Sequence, residues 1–341
     1  MDYRTLVNPT HCTAKTTAIA LSNTGNMDVQ RMIADLNIVS SDDIPEKESN
    51  AIVARYTAVS KILDTGTYKC MLDIGCGYSP RFLFCERAGI DYVGMDLPII
   101  AEELQKYASA LEEKHAAFVG GDATNAATLM RAADRLSGEL LVSCEGLLHY
   151  LTEDEADHLI GGIQKVLSKH GGAWMTSDFT SDSFDVKDDL YGNALPLWSE
   201  DKKLAFLEFH GMMVEKLPVS DCAAAMWKMT ADPSFVDMRQ GVRQVEKLTV
   251  DYRFSGTRMF LMAQGRIDSV SAPALLSIFD QGNNEITSVT IDGTNLEYIS
   301  SAGLRTLLMM AQKGPVKIIG ATETVKDIMK TTGFDQILTI K

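Results

Sequence analysis

The chain is poor in basic residues: among 341 residues, 32 Lys and Arg face 46 Asp and Glu, a formal net charge of −14 at pH 7. So acidic a protein repels phosphate backbones, which argues against a nucleic-acid substrate. No apolar run reaches the roughly 18 residues of a membrane-spanning helix, and the N-terminal stretch lacks the basic patch and following apolar segment of a secretion signal. The expected location is cytoplasmic, with no membrane partner. Cysteine is also scarce. Cys12, Cys70, Cys76, Cys85, Cys144 and Cys222 form no CxxC pair and no zinc-like spacing. Several of them adjoin apolar segments, where free thiols usually pack, so neither a metal site nor a redox role is expected.

What the chain does have is length for two cores, with 45% hydrophobic residues. Its charge is uneven. Residues 250 to 341 hold nine Lys/Arg and nine Asp/Glu, so the whole acidic excess falls on the preceding part. This predicts two domains, 1–247 with an N-terminal helical cap and 248–341.

From residue 70 apolar strand-like and amphipathic helix-like segments alternate. Strands are expected at Cys70 to Ile74, Asp91 to Met95, Ala117 to Val119, Leu140 to Cys144 and Ala173 to Ser177. Helices are expected at Arg81 to Ala88, Ile99 to Glu113 and Glu153 to Ser168. Thr152 and Glu155 form a T-x-x-E capping box before the last helix, and Gly171 and Gly172 follow its end. This alternation predicts a doubly wound α/β fold with a parallel sheet, in which ligands bind beyond the carboxyl ends of the strands. Residues 181 to 245 carry helical patterns.

The strand ends carry the candidate chemistry. After the first strand stands Asp73-Ile74-Gly75-Cys76-Gly77-Tyr78-Ser79-Pro80. Two glycines allow a tight turn and close approach of backbone to ligand. A dinucleotide fingerprint would need a third glycine where Pro80 stands, which disfavours a nicotinamide enzyme. A D-x-G-x-G turn instead suits the amino-acid and ribose parts of a methyl donor, with Asp73, Gly75 and Gly77 as donor-binding candidates. Asp96 closes the next strand, nineteen positions after Gly77, where a carboxylate can accept two ribose hydroxyls. The plainer reading is a helix cap before Pro98. Asp122 follows the third strand and is a candidate for the adenine amino group, with Leu97 and Ala123 alongside as further donor contacts; a simple turn residue is its alternative.

The string Cys144-Glu145-Gly146-Leu147-Leu148-His149-Tyr150-Leu151-Thr152 resembles the E-G-L-L-x-Y-L-T segment of the leucine carboxyl methyltransferase and polyketide O-methyltransferase family. Asp96-Leu97-Pro98, the glycine turn with Arg81 behind it, and Ala54-Arg55-Tyr56 fit the same pattern, so the resemblance covers about residues 50 to 180. It implies an S-adenosylmethionine-dependent O-methyltransferase of the class I type. By this resemblance Arg55 binds the donor's carboxylate, Gly75 and Gly77 line its amino-acid part, Asp96 its ribose, and Glu145 its ammonium side. The sequence departs from the family at His149, where an apolar residue is commoner. His149 is the candidate base if the acceptor is a hydroxyl, and a packed side chain otherwise; a carboxylate acceptor would need no base at neutral pH. The aromatic stretches Leu195 to Trp198 and Phe206 to Phe209 suit an acceptor pocket and core packing alike.

The last ninety residues read as a second α/β unit. Strands are expected at Met259 to Gln264, Ser288 to Asp292 and Val316 to Ile319, and helices at Pro273 to Phe279, Leu304 to Met310 and Thr324 to Lys330. Leu248 to Phe254 fits the last strand of the first sheet or the first of the second. Gly265-Arg266-Ile267-Asp268, the run Leu296 to Leu304, and Thr332-Gly333-Phe334 resemble the STAS domain, the sulfate-transporter and anti-sigma-factor-antagonist module. The resemblance implies a protein partner and makes Ser301 a candidate phosphorylation site, with Ser300 where antagonists carry Asp. Ser301 also suits a helix N-cap. The sequence thus predicts a methyltransferase for a small-molecule acceptor joined to a partner-binding module. A non-catalytic sensor of the donor is the alternative class.

Overall fold

The structure is a computed structural model that describes residues 14–39, 44–179, 198–218, 225–233, 235, 240–282 and 286–341. Cys12, Cys222 and the Leu195 to Leu197 part of the first aromatic stretch lie outside the described residues. The chain forms two compact units. The first comprises Met1–Leu197 and Val214–Ala231, the second Trp198–Met213 and Asp232–Lys341.

The first unit opens with helices α1 (Thr16–Ser22), α2 (Met27–Asp35) and α3 (Glu46–Asp64). It continues β1 (Cys70–Ile74), α4 (Arg81–Ala88), β2 (Asp91–Asp96), α5 (Pro98–Ala110), β3 (Ala116–Gly120), α6 (Ala126–Ala133), β4 (Leu140–Cys144), α7 (Glu153–His170) and β5 (Ala173–Thr176). Strands β6 (Met212–Pro218) and β7 (Ala225–Ala231) complete one sheet in the order β3-β2-β1-β4-β5-β7-β6. Strands β1 to β5 run parallel and β7 is antiparallel to β5. Every residue of β1 and β4 is buried, as their mostly apolar runs, interrupted only by Asp73 and Ser143, require in a sheet covered on both faces. The capping box forms as read: the Thr152 hydroxyl accepts from Glu155 N–H, and the Glu155 carboxylate accepts from Thr152 N–H at 2.8 Å. The doubly wound fold is therefore present, with its strand order reversing between β1 and β4.

The region from 198 to 245 departs from its helical reading. Only α8 (Glu200–Phe209) is a helix there among the described residues; β6, β7 and β8 (Gln240–Val245) are strands. Short apolar runs such as Ala225–Ala231 fit both periods, and sheet partners decide between them.

In the second unit β8, β9 (Leu248–Ser255) and β10 (Arg258–Ile267) form an antiparallel meander, followed by α9 (Ala272–Asp280), β11 (Ser288–Ile299), α10 (Ser301–Ala311), β12 (Val316–Ile319), α11 (Glu323–Thr332) and β13 (Thr339–Ile340). The sheet order is β13-β12-β11-β10-β9-β8, with β10 to β13 parallel. Leu248 to Phe254 thus belongs to the second sheet. Met259, Leu261 and Ala263 of β10 join Leu275, Ile278, Leu307 and Val325 in one core. Phe260, on the other face of β10, meets Phe209 of α8 edge-on at 6.2 Å. Arg253 stacks on the Phe209 ring and donates to the Phe209 carbonyl at 3.1 Å. Lys202 lies 3.7 Å over the Trp198 ring, and Trp198 packs against Phe206. The aromatic residues Phe206 and Phe209 are buried within the second unit, in keeping with the core-packing alternative: a bulky apolar helix face finds its burial on a sheet face.

Candidate functional site

The reversal between β1 and β4 makes the crevice beyond their carboxyl ends the switch point of the first unit. The glycine turn leaves β1 there. Gly75 (φ +66°) and Gly77 (φ +49°) hold left-handed conformations, and a Cβ on Gly77 would stand 2.7 Å from the Ala14 carbonyl oxygen. Both angle and space demand glycine. Asp96 lies at the end of β2, half-buried; one carboxylate oxygen accepts from Gly77 N–H and the other from Leu97 N–H, each at 2.7 Å. It gives α5 no side-chain cap, and Leu97 occupies that capping position. Turn and carboxylate are thus locked in register.

Arg55 reaches the crevice from the middle of α3 and is buried. Its Nε stands 4.0 Å from Glu145 Oε2, and its Nη1 donates to Ser177 Oγ at 3.4 Å. Ser177 completes the group, donating through its hydroxyl to Glu145 Oε2 at 2.7 Å and through its N–H to Oε1 at 3.1 Å. Burial, and next the Asp178 carboxylate, push Glu145 up to about 7 against the pull of Arg55. Asp178 is fully buried and accepts from the N–H groups of Gly146 (2.7 Å) and Leu148 (3.0 Å). His149 Nε2 lies 3.8 Å from Asp178 Oδ1, a distance of charge pairing rather than of a hydrogen bond.

Asp73 sits below this surface. Its carboxylate accepts from the Tyr92 hydroxyl at 3.0 Å and faces Arg81 Nε at 3.6 Å. Burial pushes it up, while Arg81 and the Tyr92 and Ser143 hydroxyls pull it down. Arg81 in turn stacks on Tyr56 and donates to the Tyr56 carbonyl and Ser60 hydroxyl. Asp73 therefore braces α3, the helix that delivers Arg55. Asp122 is exposed after β3 and accepts from Thr124 N–H and hydroxyl, each at 2.8 Å, in a tight side-chain turn. Ala123 is half-buried beside it, and Gly121 N–H ties the end of β3 to the Asp96 carbonyl.

The structure thus brings Arg55 to Glu145 and Gly77 to Asp96, and sets His149 four residues beyond Glu145 in a short 3-10 turn. Ser177 and Asp178 were not singled out from the sequence. The signal available was a polar pair directly after a buried strand, at the strand end where such sheets place their chemistry. The donor set fits a zwitterion: a guanidinium and a carboxylate side by side match the carboxylate and ammonium of an amino acid. Among the described residues no group of His, Cys, Asp and Glu could hold a metal ion, and no helix is long and apolar enough to cross a membrane. The free cysteines Cys70, Cys76, Cys85 and Cys144 are buried, and burial raises each thiol above its ordinary range.

In the second unit Ser301 is exposed at the first position of α10. Its expected capping role falls to Ser300, whose hydroxyl accepts from Gly303 N–H at 3.4 Å. Ser300 can cap as the Asp of the antagonists would, since both offer an oxygen at that place.

The family described as Mlab, STAS domain, matches residues 250–339. No curated protein matches the chain. Solved structures similar to it include the mitomycin 7-O-methyltransferase MmcR, at 16% identity and TM-score 0.36, covering 55% of this chain and 58% of that one. This chain therefore spans less than two thirds of that relative. An O-methyltransferase family protein from Burkholderia thailandensis gives 15%, 0.37, 54% and 59%. An anti-sigma factor antagonist from Mycobacterium paratuberculosis gives 18% and 0.24, covering 30% of this chain and 85% of that chain. Residues 250–339 thus match the STAS domain, as the sequence resemblance indicated, and the first unit has a doubly wound α/β sheet.

Proposed function

We propose that the first unit is an S-adenosylmethionine-dependent O-methyltransferase for a small carboxylate or hydroxyl acceptor, and that the STAS domain binds a protein partner. The supporting observation is the convergence of Arg55, Ser177 and Glu145 beside the glycine turn. Arg55 takes the donor's carboxylate and Glu145 its ammonium, Gly75 and Gly77 admit its amino-acid part, Asp96 and Leu97 meet the ribose, and Asp122 and Ala123 the adenine. When bound, the donor supplies a methyl group activated on a sulfonium. Such a displacement needs alignment above all, so the chain's residues act chiefly by holding both reactants in line. Asp73 works at one remove, through Arg81 and α3.

Calorimetry with S-adenosylmethionine and S-adenosylhomocysteine tests this directly. Asp96→Ala removes charged acceptors and is expected to weaken binding by about 1.5–3 kcal/mol. Unchanged affinity would take Asp96 out of the site. Tight binding with no turnover across carboxylate and hydroxyl acceptors would leave a donor sensor.

For the STAS domain, Ser301 is proposed as the regulatory position. A phosphate there would sit near the positive end of α10 yet add a charge of about −2 to the partner face. Pull-downs with wild type, Ser301→Ala and Ser301→Asp are expected to recover partners that the Asp variant loses. Identical partners for all three, with no phosphopeptide containing Ser301, would refute the switch.

A further inference from the structure

We propose that Asp178 is a positioning residue of the donor site, fixing the loop that carries Glu145 and His149; the inference rests on the donor-site reading above. Ser177 and Asp178 follow β5 and grip that loop as a two-residue clasp. Ser177 holds the Glu145 carboxylate at both oxygens. Asp178 takes the next two available amides, Gly146 and Leu148, one on each oxygen, while its own N–H donates to the Thr176 hydroxyl at 3.0 Å. Gly146 turns in the left-handed region (φ +77°), which lets both amides face one carboxylate. Between them, Leu147 lies over the glycine turn: a Cβ on Gly75 would come within 3.2 Å of Leu147 Cβ. The clasp therefore sets the loop against the turn as well as against Arg55.

A fully buried carboxylate is costly unless charge-assisted bonds compensate it, and two backbone amides do so here. A neutral acceptor could hold one of these amides without burying a charge. The negative charge has a further effect, because it lies next to Glu145. The groups acting on Glu145 are Arg55 from α3, Arg81 from α4, and Ser177 and Asp178 after β5, while His149 on its own loop faces Asp178. Burial first, and then the Asp178 carboxylate, push Glu145 up towards its neutral form. The donor's ammonium needs the ionised form, so affinity falls as the pH drops. Removing the Asp178 charge moves the midpoint of that fall to lower pH.

The test titrates S-adenosylhomocysteine into the full chain from about pH 5.5 to 8.5, with thermal denaturation of every variant. Asp178→Asn is expected to bind about tenfold more weakly at high pH and to show a lower midpoint. Asp178→Glu keeps the charge but displaces it, and is expected to weaken binding with a midpoint closer to wild type than that of Asp178→Asn. Wild-type affinity in either folded variant, or an unmoved midpoint in Asp178→Asn, overturns the proposal. If Asp178→Asn does not fold, the Asp178→Glu affinity decides. Failure of the wild type to bind at any pH would instead strike the donor-site reading itself.

Discussion

Arg55→Ala is expected to lower S-adenosylmethionine affinity by about thirtyfold or more. Truncating one partner of a buried, hydrogen-bonded charge pair costs about 2–5 kcal/mol, and each 1.4 kcal/mol is a factor of ten. Two losses combine at this position. The donor's carboxylate loses its planar, two-pronged partner, and Glu145 loses the guanidinium that holds it down against burial and Asp178. The second loss drives Glu145 further towards its neutral form, so the deficit should widen as the pH falls. Arg55→Lys restores charge without the fork and is expected to fall between wild type and Ala. Calorimetry at two pH values checks both points, with thermal denaturation to show that α3 still packs. Near-wild-type affinity in Arg55→Ala would remove it from the donor site and leave the pair as a structural tie.

His149→Gln is expected to lower turnover of a hydroxyl acceptor by about 10²-fold while leaving donor affinity unchanged. The side chain is mostly buried and its Nε2 stands 3.8 Å from Asp178 Oδ1. Glutamine retains bulk and polarity but cannot take the hydroxyl's proton. Steady-state rates under donor saturation give the answer. Wild-type rates on a hydroxyl acceptor would mean a histidine that only packs, whereas a carboxylate acceptor, which has no proton to lose at neutral pH, should be methylated by the variant as by the wild type. A fall in donor affinity alone would mean that the ring serves the loop rather than the chemistry.

The alternating elements from Cys70 to Ser177, α6 excepted, were legible because the strands are mostly apolar runs and the helices carry start or stop chemistry of their own. The β1 and β4 runs, the capping box at Thr152 and Glu155, and the glycine turn all depend on near neighbours. The region after β5 was not legible in that way. Met212–Pro218 and Ala225–Ala231 become strands because β5 and each other offer hydrogen-bonding edges, which local periodicity does not record. Likewise α8 reads as an insertion within the first unit, yet Phe206 and Phe209 are buried in the second. The candidate site divides along the same line. Gly75, Gly77, Asp96 and Glu145 stand at strand ends visible from the pattern. Arg55 came from the family resemblance, and Asp178 emerged only from the structure, because an Asp that accepts from amides some thirty positions away leaves no local signature. Asp73 shows the converse: its place in the motif was plain, and its bonds to Tyr92 and Arg81 gave it a bracing task instead.

The three tryptophans are shared out between the units, and this has an optical consequence. Trp174 in β5 is fully buried and packs edge-on against Phe179, whose other neighbour is Trp227 of β7. Both indoles belong to the first unit, and Trp174 lies on the strand that ends in Ser177 and Asp178. Trp198 belongs to the second unit, under the Lys202 ammonium. In a Trp198→Phe chain all indole emission would arise from the first unit, so spectral changes on heating or ligand addition would follow that unit alone. The intact protein adds one emitter, from beneath a lysine, that follows the second unit.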